Sequence, residues 1–416
     1  MQETLPICPG YFPENEILNI RTFRPIVFRS DLNDITSPPF DVITRQQEQT
    51  LKKSRYNITH ITLPESGGFA KSVQTMNKWM EEGVLVKIQQ ETLIILCQDF
   101  KSGGKELSRI GLMAPVETSS EGKEIIPHEE TFEWAVEERK ELMIRTGCQL
   151  EPIFLVINGA AFERVLRSAI KALDPVRTFE EPSGVINRVY MVSDPHSLSS
   201  IQNAVSREKA VVADGHHRLR AAQDIYLDKP AKTKDFWKYS FSYVTSLQQD
   251  SLMISGIHRL ISSAHKFSDY AERIGKYFTL EKKNSAENHK GIMVYDGSFY
   301  SLEPGEESYR AIGESGKYRF PADPALVNRL IFQDIMGLTI NEISRQITYT
   351  QSVPFAVEEV DKGRIGFAFL MPAWDKSTFI FMTDGGRIFP QKSTYFYPKI
   401  PSGVAIYGPE DSTAND

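Results

Sequence analysis

The chain has 416 residues, 48 Lys and Arg against 54 Asp and Glu for a net charge of −6, and 41% hydrophobic residues. That length exceeds one hydrophobic core, so two or three domains are expected, and the composition excludes fibrous and disordered classes. The acidic balance provides no overall positive field for nucleic acid, and no apolar run approaches the roughly 18–20 residues needed to span a bilayer.

The opening MQETLPICPG lacks the charged and apolar regions of a signal peptide. Cys8, Cys97 and Cys148 form no CxxC and no disulfide framework, and they read as inert core residues. The expectation is a cytoplasmic protein with neither a membrane nor a nucleic acid as partner.

In chain order, 23–28 reads as a short strand and 37–44 as a turn, whose consecutive prolines bar helix and fix an extended path. Helix is expected over 45–55 and 70–83, and strand over 57–64, 92–100 and 108–117. The segment 128–147 carries Glu early, Lys and Arg late and Gly at its end, and reads as one long helix. Strand 151–158, helix 161–173, strand 184–194 and helix 197–206 follow, then a strand, sharp turn and helix over 209–228 and a strand at 241–247. Asp296-Gly297 between alternating apolar residues marks a hairpin at 291–304. A helix is expected at 324–336, and strands at 364–373 and 377–386. The linker-like stretch at 282–291 places a domain boundary near 260–290.

The densest chemistry is Asp214-Gly215-His216-His217-Arg218, where an apolar strand turns directly into a helix. Unpaired N–H groups at a helix start favour phosphate or carboxylate. Two histidines and an arginine add movable donors, and Asp214 could hold Mg²⁺ or accept a proton. His216 and His217 point roughly 100° apart on a helix, so different roles are expected for them. The plain alternative is an Asp-capped helix with two surface histidines.

A second group is His128-Glu129-Glu130-Thr131, with Arg139 about three helical turns further on and so on a similar azimuth. Carboxylates at a helix start are also routine dipole partners, and Arg139 could equally be a salt-bridged arginine. Asp41, behind Pro38, Pro39 and Phe40, could sit at a pocket rim. Lys392, Ser393 and Thr394 make a plausible phosphate grip without the glycines of a Walker A loop. His258-Arg259 is a weaker candidate. No HExxH, no GxGxxG after a strand and no zinc spacing occurs, so nicotinamide, flavin and zinc are not expected.

PPFDVI (38–43), the segment from Trp79 to Leu85, PHEET with Arg139, EPIF (151–154), VVADGHHR (211–218) and PQKSTYFYPK (390–399) occur in that order. Together they resemble the family catalogued as domain of unknown function 1015. Phe40 departs from the Tyr more usual there, and Leu219-Arg220 from a common Tyr and Glu. The DGHHR element also resembles the strand–turn–helix of the ParB/sulfiredoxin superfamily, some of whose members phosphorylate free L-serine.

The resemblance implies a mixed α/β (α+β) fold with a ParB/sulfiredoxin-like core at 126–265, flanked by regions 1–125 and 266–416. It implies an Mg²⁺-dependent phosphotransferase acting on L-serine or O-phospho-L-serine, with pyrophosphate or a nucleotide as donor. In that scheme Gly215, His216, His217, Arg218, Lys392, Ser393 and Thr394 hold phosphate. Asp214, Glu129 or His217 is the base, Asp214 the metal ligand, and Asp41, His128 and Arg139 position substrate. The rival expectations are a phosphoserine phosphatase and a non-catalytic ParB-like regulator that binds nucleotide or DNA.

Overall fold

The computed structural model describes residues 18–64, 68–118, 125–228, 235–287, 289–314 and 319–410. Its centre is an eight-stranded sheet in the spatial order Ile125–Ile126, Ala210–Asp214, Ile153–Ile157, Tyr239–Ser246, Lys105–Glu117, Leu93–Ser102, Ile186–Val192, Arg177–Glu180. Two neighbouring pairs are parallel, 125–126 with 210–211 and 153–157 with 242–246, and the rest are antiparallel.

The strands alternate, as a two-residue period requires. Leu93, Ile95, Leu155 and Ile157 face helices Phe162–Ile170 and Pro195–Val205, burying Phe162, Leu166, Ile201 and Val205. Ile94, Leu96, Phe154 and Val156 face the other way and are covered by Trp374, Phe379, Met382, Phe389 and Phe396. The last forty described residues therefore return across the chain to close the first sheet. That return brings 392–399 beside 210–218.

A second sheet, antiparallel throughout, runs Phe278–Lys283, Phe299–Pro304, Ile292–Tyr295, Ile365–Leu370, His258–Ser262, Ile347–Thr350. The π-helix Leu326–Ile335 covers one face, and Ala356 and Val360 of helix Val353–Asp361 cover the other. The mixed α/β class stands. The expected divisions do not match these hydrogen bonds: the first sheet joins 93–117 to 125–246 across position 125, and the second takes in strand His258–Ser262 ahead of 266. The strands on either side of 282–291 belong to one sheet, so that stretch is internal to it.

Three local expectations are corrected. Residues 57–64 contain the short helix Thr59–Thr62, because Asn57 Oδ1 accepts from the Thr59 N–H at 3.1 Å and Ile58 and Ile61 are buried. Residues 376–384 are helical, capped by Asp375 accepting from the Thr378 N–H at 2.8 Å, with Phe379, Met382 and Thr383 inward. The helix expected from 128 begins at Glu133. Residues 128–130 are instead pinned to Phe389, whose N–H donates to His128 O at 2.7 Å and whose carbonyl accepts from the Glu130 N–H at 3.0 Å.

Cys97 and Cys148 are buried free thiols, pushed up by burial to about 11 and about 12; Cys8 lies outside the described residues. Among the described residues no helix is long and apolar enough to cross a membrane.

Candidate active site

The apolar strand Ala210–Asp214 ends at the sheet edge of a large cleft, and Gly215 (φ +91°) makes the turn into helix His216–Asp228. That backbone region is open to glycine and strained for other residues. A side chain there would also come within 3.1 Å of Arg218 Nε, since Arg218 folds back over the turn. Its guanidinium donates to Pro152 O and places Nη2 3.8 Å from Asp214 Oδ2.

Lys399 Nζ approaches the same oxygen at 3.2 Å, and the Gly215 N–H donates to Asp214 Oδ1 at 3.0 Å. Burial alone would raise the Asp214 carboxyl, but Lys399, Arg218 and Lys392 outweigh it and hold the group well below the usual carboxylate range. Lys399 is itself fixed from behind. Gln98 Nε2 donates to Lys399 O at 3.1 Å, the buried Arg109 donates to Pro398 O, and the ammonium lies 4.6 Å from the Tyr395 ring centroid.

The two histidines diverge as expected. His216 turns inward, its Nε2 accepting from the His128 N–H at 3.3 Å, with its ring 4.7 Å from that of His128. Burial, and then their mutual repulsion for His216, lowers both pKa values, that of His216 strongly. His217 turns to the cleft, where Nε2 accepts from the Phe132 N–H at 3.1 Å; Gln391 Nε2 is also 3.3 Å away. Burial lowers its pKa, so near neutral pH it is uncharged and the remaining proton sits on Nδ1.

Glu129 does not stand free. Oε1 accepts from the N–H groups of Ser393 and Thr394, both at 2.9 Å, and from Thr394 Oγ1 at 3.2 Å; Oε2 accepts from the Lys392 N–H at 3.1 Å. His128 Nε2 also meets Thr394 Oγ1 at 2.8 Å. Lys392 takes a left-handed backbone (φ +59°), and its Nζ lies 3.7 Å from Asp41 Oδ2. Burial lowers the Lys392 pKa, but Asp41, Asp214 and Glu129 outweigh it and raise the value overall.

The cleft occupies about 1770 Å³ and is lined by Asp41, Glu129, Asp214, Gly215, His216, His217, Arg218, Lys392 and Thr394 among others. Ser393, His128 and Arg139 do not line it. Ser393 is buried, its hydroxyl on Pro390 O, and His128 lies behind His216. Arg139 is buried behind the 38–43 turn, its guanidinium carbon 3.9 Å from the Phe40 ring centroid and Nη1 donating to Thr62 O at 3.3 Å. Arg139 shares no helix azimuth with His128, because His128 is not on its helix.

Two contributors, Lys399 and Glu151, carry no role in the sequence alone, and Arg259 is there only a weaker candidate. Lys399 sits inside the PQKSTYFYPK run but seven residues past the lysine that drew notice. Glu151, of the EPIF motif, accepts from the Phe40 N–H at 3.2 Å and from Ser402 Oγ at 2.6 Å, and so anchors the turn that carries Asp41. Arg259, buried in the second sheet, donates through Nη2 to Lys392 O at 3.3 Å. The burial of Arg259, which only tertiary structure reveals, is what marks it out from a surface arginine.

No group of three His, Cys, Asp or Glu side chains suited to a metal converges among the described residues. Asp214 already faces an N–H on one oxygen and two cations on the other. Asp41 Oδ2 likewise faces a cation, the Lys392 ammonium at 3.7 Å.

A family model described as a protein of unknown function, DUF1015, matches residues 20–383. No curated protein matches the chain. Among solved structures, a conserved hypothetical protein from Pyrococcus furiosus is similar with a TM-score of 0.38 and 14% identity, over 68% of this chain and 92% of its own. A free serine kinase in complex with AMP gives 0.36 and 14%, over 66% and 83%. A C-terminally truncated SbnI from Staphylococcus aureus gives 0.38 and 10%, over 71% and 87%. The family match runs through nearly all the described chain, from the first strand to the helix that closes the first sheet, and by it the protein belongs to the DUF1015 family.

Proposed function

We propose that this protein is a phosphotransferase that makes or consumes O-phospho-L-serine, with free L-serine as acceptor and pyrophosphate or a nucleotide as donor. One observation carries the reading: Arg218, Lys392 and Lys399 converge on Asp214 and Asp41 in a single cleft, beside the start of a thirteen-residue helix. Phosphoryl transfer asks the protein mainly for positioning and for charge stabilisation of the transferring group, and clustered cations with helix-start N–H groups provide both.

In this reading Lys392, Lys399, Arg218 and the N–H groups after Gly215 hold phosphoryl oxygens. His217, with its proton on Nδ1, donates to one of them. The serine hydroxyl oxygen forms the new bond to phosphorus, the bond to the leaving phosphate breaks, and the hydroxyl proton passes to Asp214, whose carboxylate gains basicity as Lys399, Arg218 and Lys392 turn to the donor's phosphoryl oxygens. Asp41 faces the amino-acid ammonium. Mg²⁺, when bound, neutralises charge on the donor's phosphoryl oxygens. Glu129, satisfied by four donors, is a poor base. Kinship of the 210–228 element with the ParB/sulfiredoxin superfamily and a cytoplasmic setting belong to the same proposal.

The test is to incubate purified protein with Mg²⁺ and L-serine, adding pyrophosphate, ADP or ATP separately, and to assay phosphoserine by mass spectrometry. Phosphoserine with at least one donor is expected. No product with any donor overturns the kinase reading, and phosphate release from phosphoserine with water as sole acceptor replaces it with a phosphatase.

A further inference from the structure

The N–H groups of Lys392, Ser393 and Thr394 point at one spot, the concavity that successive backbone N–H groups form for an anion. That spot is already filled by Glu129, whose two oxygens take all three N–H groups and the Thr394 hydroxyl at 2.9–3.2 Å. Glu129 cannot drift, because the flanking residues His128 and Glu130 are both bonded to Phe389. From the other side the buried Arg259 donates to Lys392 O at 3.3 Å, while Asn328 Oδ1 accepts from Arg259 Nε at 3.1 Å.

Lys392 is thus gripped at both its N–H and its carbonyl. Its left-handed backbone is strained for a residue with a side chain, so the conformation needs such a grip to persist. The consequence is directional: the side chain projects into the cleft, where Nζ lies 3.7 Å from Asp41 Oδ2.

We infer that Glu129 is a positioning residue, an internal anion that shapes the 392–394 turn and so aims the Lys392 ammonium into the cleft. The substrate's phosphate then meets the lysine side chain, and the turn's own N–H groups serve the protein. The inference rests on the reading that Lys392 binds phosphate oxygens.

Calorimetric binding of inorganic pyrophosphate tests it with the full chain as wild type, Glu129→Gln, Lys392→Ala, the double variant, and Glu129→Ala with and without sodium formate. Glu129→Gln and Lys392→Ala should each weaken binding about tenfold, and the double variant should bind no more weakly than Lys392→Ala alone. Formate, filling the emptied concavity, should restore binding to Glu129→Ala but leave Lys392→Ala unchanged. A purely structural glutamate would show no such rescue. If Glu129→Ala is unfolded by circular dichroism, the Glu129→Gln cycle decides alone. Pyrophosphate binding lost in Lys392→Ala but intact in Glu129→Gln, or effects that multiply in the double variant, overturns this inference and leaves the proposed function standing. Binding unchanged in Lys392→Ala, or absent from the wild type, overturns both.

Discussion

Lys399 Nζ lies 3.2 Å from Asp214 Oδ2, an ion pair between the segment that closes the first sheet and the strand end that opens the cleft. Both side chains are mostly shielded from solvent, so the pair is costly to break from one side. Asp214→Asn should retain the fold, lose about a hundredfold or more in turnover, and be roughly 2–5 kcal/mol less stable at pH 7. The folded pKa of Asp214 is depressed, so its stabilisation is present above the unfolded value of about 3.9 and fades as pH falls through the lower folded value. Urea melts at stepped pH should therefore show the gap between wild type and Asp214→Asn closing below about pH 4. A gap that persists undiminished into strong acid contradicts the assignment.

The buried pair His128 and His216 predicts a second pH effect. Both pKa values are depressed, so the unfolded chain binds more protons than the folded one below about pH 6.5. Stability is then full above that pH and falls as the solution is acidified toward pH 5. His216→Asn should flatten the slope of melting temperature against pH over this interval. An unaltered slope would place the titration elsewhere.

Arg139 is expected to act through Phe40, whose ring it stacks at 3.9 Å. Arg139→Ala empties a buried site beneath the turn that carries Asp41, and should lower thermal stability and raise KM for the amino acid more than it lowers kcat. Arg139→Lys should rescue little, because an ammonium lacks the planar stacking surface. A drop confined to kcat would put Arg139 in the chemistry instead.

Gly215→Ala tests the turn itself. The positive φ strains any other residue, and the new methyl would meet the Arg218 guanidinium at about 3.1 Å. A loss of roughly 1–2 kcal/mol is expected from the backbone. Weakened pyrophosphate binding should accompany it as Arg218 shifts. Wild-type binding would show that Arg218 does not hold the donor.

Much of this architecture is legible in the sequence wherever a residue's neighbours are local. The apolar runs in 92–100 and 151–158, the Asp296-Gly297 turn and the strand–turn–helix at 210–228 all follow from local composition and turn chemistry. Segments 57–64 and 377–386 mislead because β-branched and aromatic residues favour strand, while helix is decided by one accepting side chain in each, Asn57 and Asp375. The density of DGHHR pointed to a cleft-lining turn. From the sequence Glu129 reads as a candidate base or a helix-start carboxylate, and its true partners lie more than 260 residues away. Lys399, Glu151 and Arg259 also meet partners more than 100 residues away, and burial and long-range hydrogen bonds leave no local pattern.

Phosphoryl transfer to serine has a direct readout. ³¹P NMR of wild type and Asp214→Asn with Mg²⁺, L-serine and each of pyrophosphate, ADP and ATP follows donor and product together. A phosphoserine resonance growing as one donor's signal declines, in wild type and not in Asp214→Asn, is the predicted result. No phosphoserine with any donor, or equal rates from both proteins, contradicts it.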